Sequence, residues 1–349
     1  MKGRILVTGG CGFIGSHTCL ALLDKGYEVW VLDSLLNSSP ISLERVKLLS
    51  TNSDKLLLFK GDLRDLNFIR EVFKKAQNKD TNFAGVIHFA GLKSVAESIH
   101  QPINYWDNNV FSTFNLLRVM EENNCKTIVF SSSATIYKLN ENDQTPIKES
   151  AEICSINPYG TNKIVIEKLL NDLYNSSQNE WNISSLRYFN PIGAHPSGLI
   201  GEDPLGIPNN LFPLILQVAV KKIGKLKIFG NDWPTSDGTG LRDYIHVLDL
   251  ADAHILALEF LLDQKPEILN LNLGTSKGTS VLDLITTFER VNKVKIPYEF
   301  CERRKGDYCT VIADNSKAFS VLNWSPKRDL EQMCIDGWKW QSTNPNGYL

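Results

Sequence analysis

Three residues in the first half of the chain have types and spacing suited to moving a proton. They are Ser133 in "FSSSATIY" and the pair Tyr159 and Lys163 in "INPYGTNK". A free phenol has a pKa of about 10, so it is a poor base at neutral pH. An ammonium one helical turn away favours the phenolate, and a further cation in the same cleft would favour it more. Bringing the phenol near 7 takes roughly three pH units, or about 4 kcal/mol of differential stabilisation. The serine hydroxyl could bridge a substrate oxygen and the phenol. Each type also has an ordinary use: serine ends strands at turns, and lysine snorkels from apolar helix faces. Tyr-x-x-x-Lys alone arises by chance on helices. The combination carries the weight, provided the elements around it bring the three together.

Asn157 is a good N-cap and Pro158 a good first helical residue, so a helix is expected to start there. At 100° per residue Tyr159 and Lys163 share a face with Ile166, Leu170 and Leu173, which reads as the buried stripe. Ser133 ends "TIVFSSS", one of a series of apolar strands with "RILVTG", "YEVWVLD", "LLLFKGD", "GVIHFAG" and "NISSLRYFN". Helix-compatible segments separate them, beginning with residues 13–25, which Gly26 stops. Continuous apolar strands between helices indicate a parallel sheet covered on both faces. The expected fold class is α/β, a Rossmann-type doubly wound sheet with ligands at the strands' carboxyl ends. Residues 1–189 read as this domain. Residues 190–247 are rich in Pro, Gly and Asn and read as a loop-rich binding insertion. Helices are expected at 248–262, 281–291 and 330–341, with short strands at "ILNLNLG" and "IPYEF". Residues 190–349 therefore read as a smaller α/β substrate domain with segments returning to the sheet.

Gly9, Gly12 and Gly15 in "VTGGCGFIGSH" lie between the first strand and the first helix. Glycine there permits a tight turn and lets backbone N–H groups approach a pyrophosphate at the helix N-terminus. The placement, more than the motif, points to a dinucleotide. Asp33 closes strand 2, where a carboxylate accepts from a ribose hydroxyl and repels a 2′-phosphate, favouring NAD over NADP. An oxidised nicotinamide, expected near "HFAG", would be the further cation beside Tyr159, and Lys163 could hold its ribose. Asp62 in "GDLRD" either reaches the adenine edge or caps the next helix.

A formal net charge of -2 and a pI near 6.3 argue against nucleic acid or an anionic membrane surface as partner. No apolar run approaches a membrane span. Seven scattered cysteines without a Cys-x-x-Cys pair read as reduced thiols. The six histidines lack metal-ligand spacing, so no metal is placed. The start "MKGRILVTGG" runs into a strand without room for a signal peptide, and a cytoplasmic protein is expected.

With these features the chain resembles the extended short-chain dehydrogenase/reductase family, and within it the UDP-glucose 4-epimerases. The likeness covers nearly all of the chain. It is carried by the motifs above and by "VIHFAGLKSVAES", "DNNV", "LRYFNPIGAHPSG", "GEDPLGIPNNLFP", "IFGNDWPTSDGTGLRDYIHVLDLADAH" and "RRKGD". The resemblance implies an isomerase of galactose metabolism that interconverts UDP-glucose and UDP-galactose by transient oxidation at C4 with bound NAD. It implies Tyr159 as proton acceptor and donor, with Ser133 and Lys163 assisting. NAD contacts are implied for Phe13, Ile14, Asp33, Asn37, Ser38, Asp62 and Leu63. Phe89, Ala90, Gly91, Lys93, Asn108, Lys163 and Phe189 would complete that site. The UDP-sugar would be held by Asn190, Asn210, Leu211, Lys227, Ile228 and Phe229, and by Arg242, Arg304 and Asp307. Arginine forks suit a diphosphate, and Phe229 a uracil.

Three positions set this chain apart. Cys11 sits inside the glycine turn, and Lys138 follows Tyr137 where relatives carry glycine. Val311 stands where family members with a bulky tyrosine tend to exclude N-acetylated sugars, so activity on UDP-N-acetylglucosamine is also expected. Sugar-nucleotide 4,6-dehydratases share the fold but resemble Ser/Thr-Asp-Glu after strand 5, whereas Ala134-Thr135 offers no acid. A UDP-glucuronate epimerase and a non-catalytic NAD-sensing module remain as alternatives. The family implies a homodimer, for which Ile164, opposite the buried stripe, is a weak sign.

Overall fold

The structure is a computed structural model that describes residues 2–349 apart from 78–81, 140–143, 177–179, 207, 209 and 305. The chain forms two compact units. The first comprises Met1–Tyr137, Glu152–Arg187 and Ala251–Leu271.

In the first unit β1 (Arg4–Thr8), β2 (Glu28–Asp33), β3 (Leu56–Lys60), β4 (Phe83–His88) and β5 (Thr127–Ser133) are joined by helices. These are α1 (Phe13–Asp24), α2 (Ile41–Leu49), α3 (Leu66–Gln77) and a run of helix from Val95 to Glu122. That run comprises α4 (Val95–His100), α5 (Pro102–Tyr105), one π-turn over Trp106–Phe111, and α6 (Ser112–Glu122). After β5 come α7 (Pro158–Ser176) and β6 (Asn182–Tyr188). β3, β2, β1, β4 and β5 pair in parallel. The sheet has seven strands, and the strand at Ile268–Leu273 lies at its edge beside β6. β1 is buried throughout because both sheet faces are covered. Its buried arginine is held at both terminal nitrogens: Arg4 donates to Ala76 O (3.0 Å) and pairs with Glu28 (3.0 Å). One core packs Trp30, Phe73, Phe83, Leu116, Ile128, Ile166 and Trp181 together.

α7 starts as its sequence predicts, with Asn157 Oδ1 accepting from Gly160 N–H at 2.9 Å. Its buried positions are Gly160, Asn162, Lys163, Ile166, Glu167 and Leu170. Tyr159 and Leu173 are half-buried, so the stripe is rotated slightly from the expected one.

The second unit comprises Lys138–Ala151, Tyr188–Leu250 and Asn272–Leu349. It holds β7 (Asn190–Ile192), α8 (Leu211–Ala219), β8 (Leu226–Phe229), β9 (Leu241–Arg242) and β10 (Tyr244–His246). Next in sequence is α9 (Val247–Asp263), most of which belongs to the first unit, then β11 (the edge strand Ile268–Leu273). β12 (Thr279–Ser280), α10 (Val281–Asn292), β13 (Tyr298–Cys301), β14 (Thr310–Val311), α11 (Ser316–Leu322) and α12 (Leu330–Thr343) follow. The strands make small sheets, β10–β7, β12–β9–β14 and β13–β8. Phe212, Leu216, Ile228, Tyr244, Phe288 and Met333 share one core. The stretch 190–247 reads as loop from sequence yet contains α8. Its Pro213 falls in the first turn, where backbone N–H groups lack helical acceptors anyway, so it does not break the helix.

Candidate active site

α7 and the carboxyl end of β5 bring the candidate residues Ser133, Tyr159 and Lys163 together. Lys163 is 5% exposed, and its Nζ donates to Ser131 O at 2.6 Å. The same nitrogen lies 4.8 Å from the Phe130 ring centroid and 5.7 Å from that of Tyr159. Burial pulls the ammonium down to about 8, opposed by Glu167. Ser133 Oγ accepts from Thr135 N–H (3.2 Å) and Thr135 Oγ1 (3.0 Å). That leaves its own O–H as donor toward the phenol. Burial raises Tyr159 above its ordinary value, and the Ser133 hydrogen bond offsets this in part. The sequence reading counts on two cations, the lysine and a nicotinamide ring, and burial is the larger influence on the phenol with the lysine alone beside it. Burial disfavours the charged phenolate, whereas a neighbouring cation favours it. Beneath the lysine, His88 is buried between Thr8 Oγ1 (2.6 Å) and Thr113 Oγ1 (2.8 Å). Burial, then Lys163, pushes it down to about 3, so it is neutral.

The glycine turn makes a cradle that side chains would fill. Gly9 has φ +71°, and a Cβ there would meet Ala90 N at 2.7 Å. A Cβ at Gly15 would meet Gly9 O at 2.3 Å and Gly10 Cα at 2.7 Å. Gly12 is the N-cap of α1 and supplies no capping side chain, so the first-turn N–H groups near Phe13 and Ile14 are open to an anion. Asp33 is buried at the end of β2. It accepts from Cys11 N–H (2.9 Å), Leu35 N–H (2.9 Å) and Ser38 Oγ (2.8 Å). The serine makes the bond a ribose hydroxyl would make. A pyrophosphate and ribose fit this donor and acceptor set. Burial, before any other cause, raises the Cys11 thiol, so the cysteine in the turn is inert.

The remaining expected cofactor positions are distributed around this centre. Gly91 has φ +155°, and Phe89 packs on His254 with ring centroids 4.7 Å apart. Lys93 and Asn37 are exposed. Asp62 neither caps α3 nor stands open: Arg64 N–H (2.8 Å) and Nη2 (2.6 Å) both bond to it, and Asp65 caps the helix. Those bonds to Arg64 hold its carboxyl below the ordinary range. Asn108 spends its amide N–H groups on Asn104 (2.9 and 2.7 Å). Leu63 is part of the core, so only its backbone could meet a ligand.

In the second unit Phe229, Arg242, Arg304, Asp307 and Val311 cluster. Arg304 lies 4.7 Å over the Phe229 ring and pairs with Asp307 at 2.9 Å. Arg242 donates to Leu241 O (2.8 Å) and pairs in register with Val311 across β9 and β14. Burial lowers Arg242, while Asp307 raises it. Asn190 N–H donates to Asp243 O at 3.0 Å. Phe189 is buried, Asn210 stands at the N-cap position of α8 without a side-chain capping bond, Leu211 is half-buried, and Lys227 is exposed. Ile228 is in the core, so like Leu63 it offers only backbone.

Sequence reasoning missed a buried network beside α7: Glu167, Arg187, Ser132 and Tyr137. One signal was present, an acid four residues after Lys163 on the same helix face.

Comparison with known proteins adds to this geometry. A family model described as GDP-mannose 4,6 dehydratase matches residues 6–336. The chain is 52% identical over 344 residues to a UDP-glucose 4-epimerase of Bacillus subtilis, covering 99% of this chain and 98% of that one. The chain belongs to the UDP-glucose 4-epimerase family. A crystal structure of an epimerase of this name from Stenotrophomonas maltophila, with bound NAD and formylated UDP-arabinopyranose, superposes with a TM-score of 0.93. It is 44% identical and covers 98% of this chain and 99% of its own. The epimerase from Bifidobacterium longum, in complex with NAD+ and UDP, gives a TM-score of 0.91 at 44% identity, with 99% of each chain covered. Within the broader dehydratase model, the turn after β5 holds Ala134 and Thr135 and no carboxylate, which fits an epimerase.

Proposed function

We propose that this protein interconverts UDP-glucose and UDP-galactose with a resident NAD, as a step of galactose metabolism. The observation that carries the proposal is the joining of Ser133, Tyr159 and Lys163 at the carboxyl end of β5, in the unit that also holds the glycine cradle. The N–H groups of the cradle would hold the pyrophosphate, Asp33 a ribose, and Lys163 the nicotinamide ribose. NAD, when bound, supplies reversible hydride acceptance at the sugar's C4 and adds the cation that the phenol lacks. Tyr159 takes the proton of the 4-hydroxyl, with Ser133 orienting that oxygen. The resulting 4-keto sugar turns about its link to the diphosphate and presents its other face. Tyr159 then returns the proton, and the configuration at C4 is inverted. Arg242, Arg304 and Phe229 would anchor the UDP end while the hexose stays loosely held, and Asn190, Asn210, Leu211, Lys227, Ile228 and Asp307 would complete the contacts to the UDP-sugar.

Val311 favours a second substrate. It is a half-buried valine in strand register with Arg242, a smaller side chain than the tyrosine considered for this position. UDP-N-acetylglucosamine would then be epimerised as well. The proposed assembly is a homodimer, supported by exposed Ile99, Ile103, Trp106, Phe111 and Phe114 on the helices from α4 to α6. Seven free cysteines support a reducing, cytoplasmic setting. Among the described residues no helix is long and apolar enough to cross a membrane. The deciding experiment incubates purified protein separately with UDP-galactose, UDP-N-acetylgalactosamine and UDP-glucuronate, without added NAD. Formation of UDP-glucose from UDP-galactose is expected. No turnover of UDP-galactose by protein shown to carry NAD would overturn the proposal.

A further inference from the structure

Glu167 lies one turn beyond Lys163 on α7 and is 4% exposed. Its Oε1 accepts from Ser132 Oγ (2.5 Å) and Arg187 Nε (3.0 Å), and its Oε2 accepts from Arg187 Nη2 (2.6 Å). Arg187, on β6 and 2% exposed, donates through Nη1 to the Tyr137 hydroxyl at 2.9 Å. Burying an ion pair costs desolvation that the attraction barely offsets, and apolar residues of equal volume would often hold a helix to a strand as well. Packing alone gives little reason for charge here.

The neighbours of the pair give a better one. Lys163 grips the Ser131 carbonyl and Glu167 grips the Ser132 hydroxyl, so two consecutive residues of β5 are fastened to α7 immediately before Ser133. Residues four apart on a helix share a face, which puts the carboxylate on the lysine's side. The titratable groups facing Lys163 are Tyr159 and Glu167 from α7, His88 from β4, and the Arg187–Tyr137 pair beyond Glu167. His88 is neutral and Arg187 repels an ammonium, so the anion among them is Glu167. We infer that Glu167 is a positioning residue of the proton-transfer site, the counter-charge that keeps Lys163 an ammonium and the clamp that holds the Ser133 strand end. The inference rests on the proposed roles of Tyr159 and Lys163.

The test measures kcat against pH for the full-length holoenzyme with UDP-galactose. Glu167→Gln keeps size and an acceptor for Ser132 but leaves Arg187 unopposed. The alkaline limb of kcat is expected to move down by about one pH unit, with KM within about twofold. Glu167→Gln/Arg187→Gln removes both charges, and its limb is expected between those of the single variant and wild type. That ordering is electrostatic, and a merely structural role would lower Tm without producing it. If the single variant does not fold, the double variant against wild type decides. An unmoved limb in the folded variants refutes the inference. Lys163→Met separates the two levels. Wild-type turnover in that variant would remove the underlying reading, whereas a slow Lys163→Met beside an unmoved Glu167→Gln limb would remove only the role given to Glu167.

Discussion

Alanine at two glycines of the first turn should separate the turn's packing from its role as a ligand cradle. At Gly15 an added methyl would stand 2.3 Å from Gly9 O and 2.7 Å from Gly10 Cα, and both are backbone atoms. No rotamer change relieves such contacts, so α1 or the turn must shift by about 1 Å to restore ordinary carbon–oxygen separation. Overpacking of this kind costs about 1–3 kcal/mol, which for a unit of this size lowers Tm by at least about 4 °C near the middle of that range. At Gly12 the nearest atom to an added methyl is Gly9 O at 3.3 Å, a contact the chain can absorb with a few tenths of an ångström of movement. The methyl would still stand at the mouth of α1, where the pyrophosphate is expected. Gly12→Ala should therefore melt close to wild type stripped of NAD yet purify with much less nucleotide, whereas Gly15→Ala should melt below stripped wild type and also lose nucleotide. The assay is a thermal melt beside the NAD content of acid-released supernatant from each purified variant. Gly12→Ala carrying stoichiometric NAD, or Gly15→Ala melting with stripped wild type, would refute the geometry of the cradle.

Tyr159→Phe is expected to lower kcat at least about 100-fold, the scale of general acid–base catalysis, while retaining NAD by absorbance. Lys163, drawn down to about 8 by burial, is an ammonium below that pH and loses its charge as pH rises through it. The kcat profile should accordingly fall above about pH 8, and a profile flat to pH 10 would count against the lysine. Val311→Tyr should depress turnover of UDP-N-acetylglucosamine at least about tenfold while sparing UDP-glucose, and equal loss on both substrates would deny it a selective role. Arg304→Ala removes the cation over Phe229 and should raise KM for UDP-galactose about tenfold with kcat nearly intact.

What could be read from the sequence follows the range of the interactions concerned. The cap of Asn157 on Gly160 and the turn from Gly9 to Gly15 involve residues within a few positions of one another, and both are as expected. Asp33 was recognisable from its place at a strand end, but its bonds to Cys11, Leu35 and Ser38 were not, since they depend on how the turn folds back. Leu63 and Ile228 carry motif letters whose side chains are in cores, so a motif match there reports backbone position. The Glu167–Arg187 pair joins residues on a helix and the following strand, and periodicity along α7 alone presents Glu167 as one more polar position. The hydrophobic pattern located α9 and β11 well, whereas which segments rejoin the first unit depends on long-range pairing that local pattern does not contain.

Asp33 serves two masters. The same carboxylate that would choose an unphosphorylated ribose also ties down the amide of Cys11 within the glycine turn and that of Leu35 after β2. Replacing it to welcome a phosphorylated cofactor would strand a buried donor at Cys11 and slacken the loop beneath the pyrophosphate. Any route to a changed cofactor preference in this chain would thus need a second substitution that gives the Cys11 amide a new acceptor, which makes nucleotide choice here slow to drift.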